Sequence, residues 1–129
     1  MTKVPYSLSL ALLLAIMLAG PGTAQNHAEG KKLYATYCTV CHGEKGKGDG
    51  LAANGLPVKP ADHTNGAVMN QLGDKFLNDI ISKGGGAVGK SSFMPAWGAS
   101  LNERQIRDIV AFIRTIVAPA GKAEVPANK

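Results

Sequence analysis

Apolar residues recur at three- and four-residue spacing from Glu103 to Val117: Ile106, Ile109, Val110, Ile113, Ile116 and Val117. One face of a helix satisfies that spacing and a strand does not. Asn102 stands where it can cap this helix, with Gln105 three residues on as the second half of a capping box, and Pro119 closes it. Arg104, Arg107, Asp108 and Arg114 fall on the opposite side, which is expected to face water. A second helix is predicted from Asp74 or Lys75 to Lys83. Asp74 is its candidate cap, Phe76, Leu77, Ile80 and Ile81 its buried side, and Gly84 its stop. A third, shorter helix covers about His27 to Tyr37, where Leu33, Tyr34 and Tyr37 share a face and Gly30 lets another helix come close. No run alternates cleanly enough to make a strand. The expectation is an all-α domain with two long irregular segments, Gly43 to Gly73 and Gly84 to Ser100.

The first 24 residues belong to a different pattern. Lys3 is a minimal basic start, Leu8 to Ala19 is apolar but for Ser9, and Gly20, Pro21 and Gly22 break the run before the small Ala24. That order is the order of a secretory signal peptide cleaved after Ala24. An apolar run of about a dozen residues falls short of the ~20 that cross a bilayer as a helix, so an uncleaved anchor is the weaker reading. The division is then a signal peptide at 1–24, a domain at 25–118 and a tail at 119–129.

With 14 Lys+Arg against 9 Asp+Glu the chain is mildly basic, and one of those cations, Lys3, lies in the leader. That balance does not suggest a nucleic-acid partner. At 45% hydrophobic and 18% charged the chain is not disordered. Two cysteines cannot staple a disulfide-dense scaffold. Only seven aromatics and as many as 16 glycines give a thin core. Long loops in a small domain usually carry function, and here they suit a chain wrapped around a large prosthetic group.

One motif names that group. Cys38-Thr39-Val40-Cys41-His42 has the C-x-x-C-H spacing of covalent haem c attachment. Two thiols three positions apart can each add to one vinyl group of the porphyrin, and the adjacent imidazole then faces the iron. Three other readings of these residues stand beside it. A thioredoxin-like dithiol wants a βαβ context, a structural zinc wants four ligands, and a disulfide across three positions is strained. For the sixth iron position the candidate is Met94, in Ser92-Phe93-Met94-Pro95-Ala96-Trp97, where Pro95 stiffens the backbone. Met/His ligation raises the reduction potential and suits electron transfer. Met69 and His63 are the alternatives, and Met94 could also simply pack against Phe93 and Trp97.

Taken together, Gly30-x-x-x-Tyr34, Cys38-x-x-Cys41-His42-Gly43, Gly46-x-Gly48-Asp49-Gly50, Pro60-Ala61-Asp62 and Met94-Pro95-Ala96-Trp97-Gly98 resemble a class I cytochrome c over about Glu29 to Val117. The likeness is strongest to short single-haem bacterial periplasmic cytochromes and weaker to the photosynthetic carrier of algae and cyanobacteria. It implies the cytochrome c fold, thioethers at Cys38 and Cys41, and His42 and Met94 as axial ligands. It also implies a loop Pro carbonyl accepting from the proximal imidazole, Pro60 fitting best and Pro57 next. Gly30 would cross the last helix at Phe112, and Trp97 would lie near a haem propionate or serve as a core aromatic.

The expected function is electron transfer in the periplasm, with a thylakoid lumen less favoured, and no enzymatic activity. Donor and acceptor would be redox proteins, met through acidic docking surfaces if Lys31, Lys32, Lys45 and Lys47 form a basic rim. No membrane span is expected after cleavage. The alternatives are an electron-entry subunit of a larger oxidoreductase and a ligand-binding haem sensor.

Overall fold

The computed structural model describes residues 25–119. The predicted signal peptide at 1–24, and the predicted tail beyond its first residue, lie outside the described residues. Five helices run in order: α1 His27–Tyr37, α2 Thr39–His42, α3 Gly66–Met69, α4 Asp74–Lys83 and α5 Glu103–Ile116. Two 3₁₀ turns, Ala53–Gly55 and Gly86–Val88, punctuate the connections. Among the described residues there is no strand, as the pattern of the sequence requires.

Helix α5 begins as its sequence dictates. The Asn102 side chain accepts from the Gln105 amide, and the Gln105 side chain accepts from the Asn102 amide, each at 3.0 Å. Its apolar stripe buries Ile106, Ile109, Val110 and Ile113, at about 1.5–3 kcal/mol each relative to exposure. Phe112 joins them and meets Tyr34 of α1 edge to face, ring centres 5.1 Å apart. The helix ends at Ile116, and the Ala118 amide donates to the Thr64 carbonyl at 3.0 Å, tying the end to the first loop.

The α1–α5 crossing differs in detail from expectation. Gly30 lies against the backbone of Asp108 and Ile109, not against an aromatic ring. Phe112 packs instead on Tyr34, four residues further along α1. Asp108, expected in water, is buried at 2% exposure. Its carboxylate accepts from the Asn26 amide at 2.7 Å, while the Asn26 side chain caps α1 through the Ala28 and Glu29 amides. A carboxylate placed there meets the positive end of α1, which is why burial is tolerated.

Two further corrections concern α4 and its neighbour. Gly73, not Asp74, is the cap residue, and Asp74 stands inside the first turn. There it accepts from Arg114 Nε at 2.8 Å. Arg114 was expected to face solvent, but its guanidinium also donates to the Met69 and Leu72 carbonyls. One side chain of α5 thus closes the end of α3 and the start of α4. A planar fork with five donors is the group that can do this.

Candidate functional site

Between the loops and helices α2, α4 and α5 lies a cavity of about 370 Å³, within the usual range for small-molecule and cofactor sites. Its wall carries Cys38, Cys41 and His42 on one stretch and Met94 and Pro95 on another. Apolar side chains such as Leu77, Ile81 and Met69 complete it.

The C-x-x-C-H stretch is positioned by helix geometry. Cys38 ends α1 and starts the single turn α2, with its amide donating to the Tyr34 carbonyl at 2.9 Å. The His42 amide returns to the Cys38 carbonyl at 2.9 Å, so cysteines and histidine share one turn. Burial, helped by the neighbouring Cys41, pushes the Cys38 thiol up to about 12. A redox dithiol needs the opposite, a lowered thiol pKa. Nor are the two sulfurs bonded to each other. Among the described residues no three His, Cys, Asp or Glu side chains converge on a metal site, which removes the four-ligand zinc reading.

His42 is buried, and its Nδ1 lies 3.0 Å from the Ala61 carbonyl oxygen. A carbonyl only accepts, so Nδ1 carries the proton and Nε2 keeps its lone pair. Burial holds the ring neutral, against the raising effect of that bond. This is the tautomer a metal-ligating imidazole adopts when a backbone oxygen orients it. The oxygen belongs to Ala61, one residue past the Pro60 expected. The Pro60 carbonyl is turned to Gly48, where even a methyl group would collide with it. Pro60 remains part of the cavity wall.

Met94, which also lines the cavity, is half-buried and its segment is stitched to the end of α4. The Gly85 amide donates to the Met94 carbonyl at 3.0 Å, and the Trp97 amide to the Ile81 carbonyl at 2.9 Å. Gly85 permits this approach: a Cβ there would sit 3.0 Å from that of Met94 and strike the Ser91 carbonyl. Trp97 lines the cavity and meets Tyr37 edge to face at 5.1 Å. Met69 also lines the cavity but belongs to the sealed core at 1% exposure.

His63 is not opposite His42. The two rings stack at 4.2 Å with 19° between their planes, so His63 cannot take the opposite iron face. Burial and the adjacent His42, only partly opposed by Asp62, hold His63 neutral, its pKa lowered to about 3. Lys59 and Lys90 also line the cavity, which sequence reasoning missed. Neither has a motif around it.

The comparisons with known proteins bear on the family of the chain. Residues 25–113 match the family described as cytochrome c oxidase, cbb3-type, subunit III. The chain belongs to this cytochrome c family. It is 31% identical over 107 residues to a cytochrome c6 of Synechococcus sp., covering 82% of this chain and 85% of that protein. It is 28% identical over 107 residues to the cbb3-type cytochrome c oxidase subunit FixP of Azorhizobium caulinodans, covering 76% of this chain but only 30% of FixP. Among solved structures, the KustC0563 c-type cytochrome matches with a TM-score of 0.57 at 20% identity, over 69% of this chain and 98% of that one, a likeness of fold. A chain of the Kuenenia stuttgartiensis reducing HAO-like protein complex matches at 0.56 and 30% identity, over 69% of this chain and 41% of that one.

Membership makes haem c the prosthetic group of this cytochrome, and Cys38 and Cys41 fit its attachment motif. The donor set also fits: two thiols and a fixed imidazole on one turn, and a thioether lining the same apolar cavity. The fold class is that of the family, all-α with the long segments reaching around the site.

Proposed function

We propose that this cytochrome is a periplasmic single-electron carrier, with Cys38 and Cys41 as thioether anchors, His42 as proximal and Met94 as distal iron ligand. One observation carries the reading: an imidazole with its Nδ1–H committed to Ala61 lines the same apolar cavity as Met94. The haem, when bound, supplies a one-electron ferrous/ferric couple. The chain orients both ligands, excludes water through Leu77, Ile81 and Met69, and keeps the imidazole in one tautomer. A thioether favours the ferrous state and raises the potential. No bond of a substrate is made or broken in this role.

Export rests on the leader at 1–24. No helix among the described residues is long and apolar enough to cross a membrane. Lys31, Lys32, Lys45 and Lys47 are exposed and would favour an acidic partner. Lys59 and Lys90 line the cavity and add positive charge there.

The test is the absorption spectrum of the reduced protein with and without carbon monoxide. A c-type spectrum unmoved by the gas supports a closed sixth position, and Met94→Ala should then open it while Met69→Ala should not. A prompt shift in the unaltered protein would favour a ligand-binding sensor. A second reading, a docked electron-entry subunit, draws on FixP being named an oxidase subunit. Stable co-purification with an oxidoreductase would select it.

A further inference from the structure

Behind the proximal imidazole the fold builds a second layer that the electron-carrier role does not require. His63 lies face to face with His42 at 4.2 Å, and Tyr34 Oη shares a 2.9 Å hydrogen bond with His63 Nδ1. Tyr34 is itself 1% exposed and wedged edge-on between His63 and Phe112, at 5.8 and 5.1 Å. The backbone of His63 is pinned as well, its amide donating to the Gly46 carbonyl at 2.7 Å. Thus α1, the first loop and α5 all fix the position of one ring.

We propose that His63 is a positioning residue that sets the plane of the His42 imidazole. The Ala61 carbonyl holds only one edge of that ring, and the last torsion of a histidine has broad, weakly defined minima. A flat neighbour at stacking distance takes up the freedom that remains. Tyr34 keeps that neighbour from tilting. An apolar aliphatic side chain at 63 would fill the same space without a flat face to align His42. The proposal rests on His42 being the iron ligand. Its consequence is electronic: the plane of an iron-bound imidazole decides how unpaired spin of the ferric ion spreads over the haem substituents.

The experiment is proton NMR of the oxidised holoprotein, read at the haem-methyl resonances, for the parent, His63→Ala, His63→Phe and Tyr34→Phe. Removal of the ring in His63→Ala should change the order or spread of the methyl shifts. His63→Phe keeps a flat ring and should return the pattern toward that of the parent. Tyr34→Phe keeps both rings and loses only the hydroxyl, and should move the pattern in the same sense as His63→Ala but less. A merely structural role for His63 would alter stability and leave the shifts in place. Unchanged shifts in a folded His63→Ala protein overturn the proposal, as do equal shifts in His63→Ala and His63→Phe. Should His63→Ala fail to hold haem, Tyr34→Phe decides alone, an unmoved pattern counting against. Failure of the underlying reading looks different: His42→Ala would retain the six-coordinate spectrum of the parent.

Discussion

Gly30→Ala is the sharpest probe of the α1–α5 crossing. A Cβ on residue 30 would collide with the carbonyl carbon and oxygen of Asp108 and come within 3.0 Å of the Ile109 amide nitrogen. These are backbone atoms in the middle of a buried helix, so no side chain can rotate away and the helices must separate. Overpacking of this kind costs about 1–3 kcal/mol. The same separation stretches the charge-assisted Asn26–Asp108 bond, worth roughly 1.5–3 kcal/mol. It also loosens the Tyr34–Phe112 pair, worth about 0.5–1.5 kcal/mol. Against this, alanine gains about 1 kcal/mol of helix propensity over glycine. With the two bonds only partly lost, the net is a destabilisation of about 2–4 kcal/mol, a large share of a stability of roughly 5–15 kcal/mol. The assay is denaturant unfolding of the holoprotein followed by far-ultraviolet circular dichroism. Gly55→Ala serves as control, since a Cβ there meets nothing within 4 Å and should shift stability by less than about 0.5 kcal/mol. A Gly30→Ala protein within about 0.5 kcal/mol of the parent, at equal denaturant slope, would refute the packing argument.

Asp108→Ala should cost about 1.5–3 kcal/mol in the same unfolding assay, because it leaves the Asn26 amide without its buried acceptor. Arg114→Lys keeps the charge but loses the fork that reaches Asp74, Met69 and Leu72; faster amide hydrogen exchange over residues 69–74 should follow, with little change elsewhere. At Asp62, burial alone would raise the carboxyl, but the Thr64 side chain and amide, Lys47 and the Asn65 amide outweigh it and hold the pKa below the usual value. A group depressed in the folded state stabilises above its unfolded pKa and loses that contribution as pH falls, so the stability gap between parent and Asp62→Asn should close between about pH 5 and pH 3. A gap constant across that window would show that the carboxylate charge contributes nothing.

What the sequence revealed and what it hid divide along the range of the interactions. The three main helices were legible because periodicity, an Asn–Gln capping box and glycine stops are local signals, and α5 begins at Glu103 as read. The C-x-x-C-H turn was legible for the same reason. The partner of His42 was not, because any residue carries a carbonyl; whether Pro60 or Ala61 presents it depends on how Gly48 packs against the loop. Asp108 and Arg114 looked like solvent-side charges, since their partners stand 82 and 40 positions away in the chain. Polar residues on the wet face of a strongly periodic helix are thus read poorly when a loop, not water, covers that face.

The same division explains how a site can be built from so little regular structure. Two loop segments complete the cavity that the helices begin, and each is anchored where it meets a helix. The Met94 segment is tied to the end of α4 through Gly85, Ile81 and Ser82. The Ala61–Thr64 segment is tied through Ala61 to His42, through His63 to Gly46 and through Thr64 to Ala118 just past α5. Because α5 packs against both α1 and α4, one helix is the common reference for the His42 stretch and the Met94 segment. The placement of His42 and of Met94 then depends on the α1–α5 and α4–α5 contacts as well as on the loops. Close backbone approach at Gly30, which does not itself line the cavity, is in this sense part of the geometry of the site.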